Sequence, residues 1–153
     1  MTAQDLDDES QKVTLHGSLQ SDILLPQEDE SIGTGSYDHW ALTNTYADLY
    51  MMSQYVDAGA RLEFTQFPLP GFEPEFKGWG IPHIYVKGKL NGAELTVGDM
   101  YDQFGSGFIF RTYEERSLGI DNALRGARLH LTAIPGVQWK VLGGVQRTYW
   151  DWN

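Results

Sequence analysis

The dipeptide Asn91-Gly92 constrains this chain more than any other feature, because it separates two stretches of regularly alternating residues. Both residue types tolerate the positive φ that a two-residue type I′ turn demands, so the pair predicts a tight antiparallel hairpin. The register follows from the turn. Leu90 faces Ala93, Gly88 faces Leu95 and Val86 faces Val97, while Lys89 faces Glu94 and Lys87 faces Thr96 on the other side. One face is apolar throughout. A second hairpin is predicted from Ala123–Ala133 and Val137–Thr148 around Ile134-Pro135-Gly136, where Gly136 suits a left-handed turn position. Setting Ala133 against Val137 puts Leu131 opposite Trp139, Leu129 opposite Val141 and Ala127 opposite Gly143, with His130 against Lys140.

Earlier in the chain Val13–Leu25 alternates, with Val13, Leu15, Leu19, Ile23 and Leu25 on one face and Thr14, His16, Gln20 and Asp22 on the other, predicting a long half-buried strand. Thr45–Met52 and Ala58–Phe67 form a weaker pair, turned by Tyr55–Gly59. Proline and glycine density marks 26–40 and 68–80 as long loops. After Val97 the alternation fails, and 102–122 reads either as a third long loop or as a segment concealing a strand at Phe108–Thr112. Short connections near Val56, Asn91 and Pro135 then alternate with the long ones. In an up-and-down sheet this places all short turns at one end, provided that 102–122 is a single loop.

The predicted fold is therefore all-β, an antiparallel up-and-down meander of about 6 to 8 strands forming a transmembrane β-barrel or an incomplete part of one. The alternative is a soluble, lipocalin-like barrel or a β-sandwich with the same alternation turned inside out. A period of two does not say which face meets water. Residues 1–12 are expected to be a disordered acidic terminus, with 13–153 forming the β segment. Thr2-Ala3-Gln4 also resembles the small-residue end of a signal peptide.

The formal charge of −10 is unevenly distributed. Residues 1–40 hold nine acids against one lysine, and the rest hold twelve acids against ten bases. With no basic stripe, nucleic acid is not an expected partner. There is no cysteine, which removes disulfides and thiolate metal sites. No apolar run is long enough for a helical membrane span.

The sequence carries no signature of a catalytic, cofactor-binding or metal-binding residue. Glu28-Asp29-Glu30 lacks the donor spacing of a calcium loop, and His16, His39, His83 and His130 show no zinc-type spacing. Gly105-Ser106-Gly107 completes neither a phosphate loop nor a nucleophile elbow. Glu114 and Glu115 are adjacent, so on an extended strand they point to opposite faces and cannot act as a carboxylate pair. With Arg111 and Arg116 they are expected to form an internal ion-pair cluster that holds the long loop. Phe72, Phe76, Trp79 and Tyr101 are candidate loop or lumen residues for stacking on a saccharide or another small polar ligand.

Leu62–Arg147 carries Gly71-Phe-Glu-Pro, Lys77-Gly-Trp-Gly-Ile-Pro82, Leu95-Thr-Val-Gly-Asp-Met-Tyr-Asp-Gln-Phe-Gly-Ser-Gly107 and Arg111-Thr-Tyr-Glu-Glu-Arg-Ser-Leu-Gly119, then Asp121-Asn-Ala. Through these motifs the segment resembles domain of unknown function 6029, a family of outer-membrane β-barrel proteins of Bacteroidota-type bacteria. The resemblance implies a non-enzymatic barrel in the outer membrane with the lipid bilayer as its partner. It supplies no activity, substrate or site residue. Members of that family are longer, so the chain is expected to be an N-terminal fragment.

Overall fold

The computed structural model describes residues 12–33, 39–70, 72 and 77–147. Its strands are β1 (Thr14–Leu24), β2 (Leu42–Met52), β3 (Val56–Phe67), β4 (Gly78–Leu90), β5 (Ala93–Met100), β6 (Glu114–Glu115), β7 (Ile120–Asp121), β8 (Leu124–Leu131) and β9 (Trp139–Gln146). Seven of them make one antiparallel sheet in the order β1-β2-β3-β4-β5-β8-β9, and β6 and β7 pair separately. The meander is as expected. Among the described residues the sheet is open, since β1 and β9 each have one neighbour.

Both hairpin registers hold. Leu90 pairs with Ala93, Lys87 with Thr96 and Val86 with Val97; Leu131 pairs with Trp139, His130 with Lys140 and Leu129 with Val141. Gly92 and Gly136 take left-handed φ of 74° and 77°, but Asn91 does not take a positive φ, so the turn at Asn91-Gly92 is not the expected type I′ and glycine alone supplies its left-handed position. The β5 strand pairs directly with β8, so 101–123 is a single excursion from the sheet.

Several boundaries move. The β2 strand begins at Leu42 rather than Thr45, and the turn into β3 is Ser53-Gln54-Tyr55, so Val56–Gly59 is strand and not turn. There Ser53 Oγ donates to the Val56 carbonyl, closing the turn earlier than the hydrophobic pattern indicated. The loop expected at 68–80 gives way to β4 at Gly78. Phe108–Thr112 contributes only an isolated bridge between Gln103 and Arg111, because the neighbouring ladder positions on β5 are already taken by β8. Pro82 lies inside β4 opposite a register shift between Arg61 and Glu63, where a bulge removes the need for its missing N–H. The acidic terminus 1–11, Phe76 and the aromatic residues Tyr149, Trp150 and Trp152 fall outside the described residues.

The faces of the sheet are inverted relative to a water-soluble β-protein. Val86 and Val97 are 51% and 53% exposed, and Leu49, Leu62, Phe64, Ile84, Leu95, Val141 and Val145 are exposed with them. The opposite face buries Asn44, Asp48, Arg61, Glu63, Thr65, His83 and Thr96. Val13–Leu25, expected to be half-buried, is exposed on both faces along most of its length, as the edge strand of the open sheet. Among the described residues no helix is long and apolar enough to cross a membrane.

Candidate functional site

The candidate site lies on the buried polar face, and alternation along β2 and β3 builds its centre. In the β2–β3 register Asp48 stands opposite Arg61, and Arg61 Nε donates to Asp48 Oδ1 at 2.7 Å. Arg61 Nη1 donates to Glu114 of β6, with Glu63 Oε1 4.0 Å away. A buried guanidinium is stable only with its donors matched, and two carboxylates match these.

The insert between β5 and β8 closes this centre. Arg116 Nε donates to Glu114 Oε1 at 2.9 Å, and its Nη2 donates to Asp48 Oδ2 at 3.4 Å. Its guanidinium lies 4.7 Å from the centroid of the Tyr46 ring. Glu115 points away, as adjacent strand residues must, and accepts from Ser117 to cap the 3-10 turn at Arg116–Leu118. Of the expected four-residue cluster the structure therefore joins Arg116 and Glu114. Arg111 is exposed and packs over the Tyr113 ring at 4.8 Å, so it takes no part.

Two further ion-pair groups anchor the insert. Asp121 accepts from Arg147 at 2.6 Å and from the Tyr101 hydroxyl at 2.9 Å. Burial pushes the Tyr101 phenol well above its ordinary pKa, and the neighbouring Asp121 and Glu114 charges act in the same direction. Asp102 accepts from Arg128 and Lys140, each at 2.7 Å. Burial raises the Asp102 carboxyl, but the bonds from Lys140 and Arg128 outweigh it and hold the group below the usual carboxylate range. At the end of the β4–β5 ladder, Asp99 accepts from Arg125 at 2.8 Å and from the Ile84 amide at 2.9 Å.

The candidate aromatic residues separate. Tyr101 stacks on His83 at 5.1 Å with the rings 4° from parallel. Trp79 pairs with Phe64 in the register and is exposed on the apolar face, while Phe72 lies against Gly119. No shared platform exists among these three. Sequence reasoning missed Asp48, Arg61, Asp99, Asp102, Asp121, Arg128 and Arg147. The available signal was cross-strand charge pairing, since Asp48↔Arg61 and Asp99↔Arg125 are direct register partners.

A row of residues at one level sets the shape of this face: Tyr50, Gly59, Tyr85, Gly98, Gly126 and Gly144 on successive strands. A Cβ on Gly59 would lie 2.5 Å from Tyr85 Cε1 and 2.8 Å from Tyr50 Cδ1, so both rings fold over it. On Gly126 it would lie 2.1 Å from the Gly143 carbonyl oxygen, a backbone approach that only glycine permits. Over this row, under Tyr101 of the insert, is a cleft of about 290 Å³ lined by Tyr85, His83, Tyr101, Lys87, Thr96 and Arg128, among others. Among the described residues no group of three His, Asp or Glu side chains is placed to hold a metal ion. The carboxylates at the centre serve guanidinium groups, an arrangement that fixes structure.

No curated protein and no solved structure matches the chain. The sequence profile of the family of unknown function DUF6029 matches residues 1–153, and the chain belongs to that family.

Proposed function

We propose that the sheet is the wall of a non-enzymatic outer-membrane β-barrel, with its apolar face against the lipid bilayer and its polar face lining the interior. The observation that carries this reading is the inversion of burial, with Val86, Val97, Leu95 and Val141 exposed while Asp48, Arg61, Glu63 and His83 are enclosed. In water, exposing so many contiguous β-branched and leucine side chains forfeits the main driving force of folding. In hydrocarbon the same arrangement is the stable one.

The tryptophans support it. Trp139 shares a row with Leu131, Ala93 and Leu90 at the short-turn end, and Trp79 shares one with Phe64 at the long-loop end. From Trp79 to Leu90 the strand runs roughly 37 Å at about 3.4 Å per residue. Tilted by about 45°, this spans about 26 Å, close to the height of the apolar band in such barrels. The rings then lie at the two interfaces, where tryptophan is enriched. Closure of the wall requires partners for the edges of β1 and β9.

Brominated lipid tests the assignment, since it quenches only indoles in contact with acyl chains. With Trp40, Trp79, Trp150 and Trp152 replaced by phenylalanine, Trp139 in the folded, inserted protein is expected to be quenched strongly. An unquenched Trp139 in that state overturns the proposal.

A further inference from the structure

We propose that the cleft beneath the insert is a binding site for a monosaccharide-sized polyhydroxylated carboxylate, a sugar acid of the hexuronate type. The inference concerns the polar face alone and holds whether the opposite face meets lipid or not.

The size of the cleft comes first. At about 290 Å³ it lies at the small end of ligand pockets, and it is bounded by the sheet on one side and Tyr101 of the insert on the other. One wall is aromatic. Tyr101 is stacked on His83, and Tyr85 meets His83 edge-on at 5.5 Å. Flat rings of this kind suit the C–H face of a sugar ring.

The second wall is a cationic row. Lys87, Thr96 and Arg128 are direct register partners on β4, β5 and β8, so a lysine and an arginine flank a threonine hydroxyl on adjacent strands. Their counterions are shared out thinly. Asp57 takes Lys89 at 2.7 Å and leaves Lys87 at 3.9 Å, and Asp102 divides one charge between Arg128 and Lys140. Glu94, one row nearer the turns, forms no ion pair with any of them, and both oxygens of Asp99 are occupied by Arg125. Four cations thus face two engaged carboxylates at this end of the cleft. At the other end Arg61 and Arg116 are matched by Asp48 and Glu114. A ligand carboxylate is therefore drawn to the Lys87–Arg128 end.

The third observation is an unused polar atom. His83 is 7% exposed, and its Nδ1 has no hydrogen-bond partner although the residue lines the cleft. A buried polar group left unmatched costs stability; the atom is closed to solvent, so a ligand hydroxyl recovers that cost once the His83 ring turns it toward the cleft. The carboxylate, ring face and hydroxyl of a sugar acid thus each have a counterpart: the cation row, the stacked rings and His83.

Calorimetric titration of the folded protein with sodium glucuronate, glucose and sodium acetate tests this. Glucuronate is expected to bind at least tenfold more tightly than glucose, which lacks the charge, and than acetate, which lacks the ring. Lys87→Gln and Thr96→Val should each weaken glucuronate at least tenfold, while Lys12→Gln, outside the cleft, leaves it unchanged. Ring proton shifts of Tyr85 and His83 on glucuronate addition provide a readout that does not depend on the variants. Equal binding of glucose or acetate, unmoved Tyr85 and His83 signals, or undiminished binding by a folded Lys87→Gln protein would each overturn the proposal.

Discussion

Arg116 Nη1 lies 3.2 Å from Gln20 Oε1, joining the insert that leaves β5 to the strand at the far edge of the sheet. Four inter-strand spacings separate β1 from β5, about 19 Å at about 4.8 Å each. The insert therefore crosses the polar face and does not hang from its own hairpin. Arg116→Ala should release the crossing at a cost of about 1 to 2 kcal/mol, reduced from the full charged-bond value because Arg116 keeps some solvent contact. Hydrogen exchange is expected to rise in 113–122 and to stay unchanged in Val86–Val97. Equal loss of protection in that hairpin would show the two to be one cooperative unit.

Arg61 should be far less tolerant. Its removal leaves the buried Asp48 and Glu114 with only the partly exposed Arg116 between them, so Arg61→Met is expected to cost about 3 kcal/mol in denaturant unfolding, the low end for breaking a buried pair. The double variant Arg61→Met with Asp48→Leu should recover a large part of this.

The two crowded glycines separate side-chain from backbone constraint. At Gly59 the obstacles are the Tyr50 and Tyr85 rings, which can turn, so Gly59→Ala should cost about 1 to 3 kcal/mol. At Gly126 the obstacle is the Gly143 carbonyl of the neighbouring strand. Gly126→Ala should therefore break the β8–β9 pairing, seen as lost amide protection in Trp139–Gln146. Comparable effects of the two variants would mean that β9 yields as readily as a ring does.

Asp102 gives a pH dependence of definite sign. Its pKa is depressed in the folded protein, so its contribution is complete above the unfolded carboxylate pKa. As pH falls through the lower folded value, that contribution is lost. Asp102→Asn should remove this acid-limb component of the stability profile and leave neutral-pH behaviour otherwise unchanged in shape. An identical acid limb in the variant would assign it to other carboxylates.

Depth along the apolar face is the remaining test. Ile84 lies midway between the Trp79 and Leu90 levels of β4, so Ile84→Arg should cost about 2 to 4 kcal/mol in a bilayer. Leu129, one outward row from Trp139, should tolerate arginine better. Because Ile84 is exposed, the same change in a water-facing sheet would be close to neutral, and that result would place the face in water.

Pairing was legible in the residues. Asn91-Gly92 and Pro135-Gly136 determine turns, and the alternation around each turn determines register, because a slip of one residue would move every side chain to the opposite face. The Asp48–Arg61 pair was open to reading as a cross-strand charge pair, but the joining of the insert to it was not legible. Asp48 and Arg61 lie 13 residues apart across one hairpin, whereas Glu114 lies 53 residues from Arg61 and reaches it only because the insert folds back from β5 over β4 to β3. Local pattern carries no information on that path, and the same reason left Arg111 indistinguishable from Arg116.

What the sequence determined by itself was the meander, its two clearest hairpins and the identity of the two faces. What only the tertiary structure decided was which face is enclosed. A period of two is symmetric under exchange of inside and outside, whereas burial is not. The insert, with Arg116 against Asp48 and Asp102 beneath Arg128 and Lys140, covers the polar face and leaves Val86, Val97, Leu95 and Val141 as the outer surface.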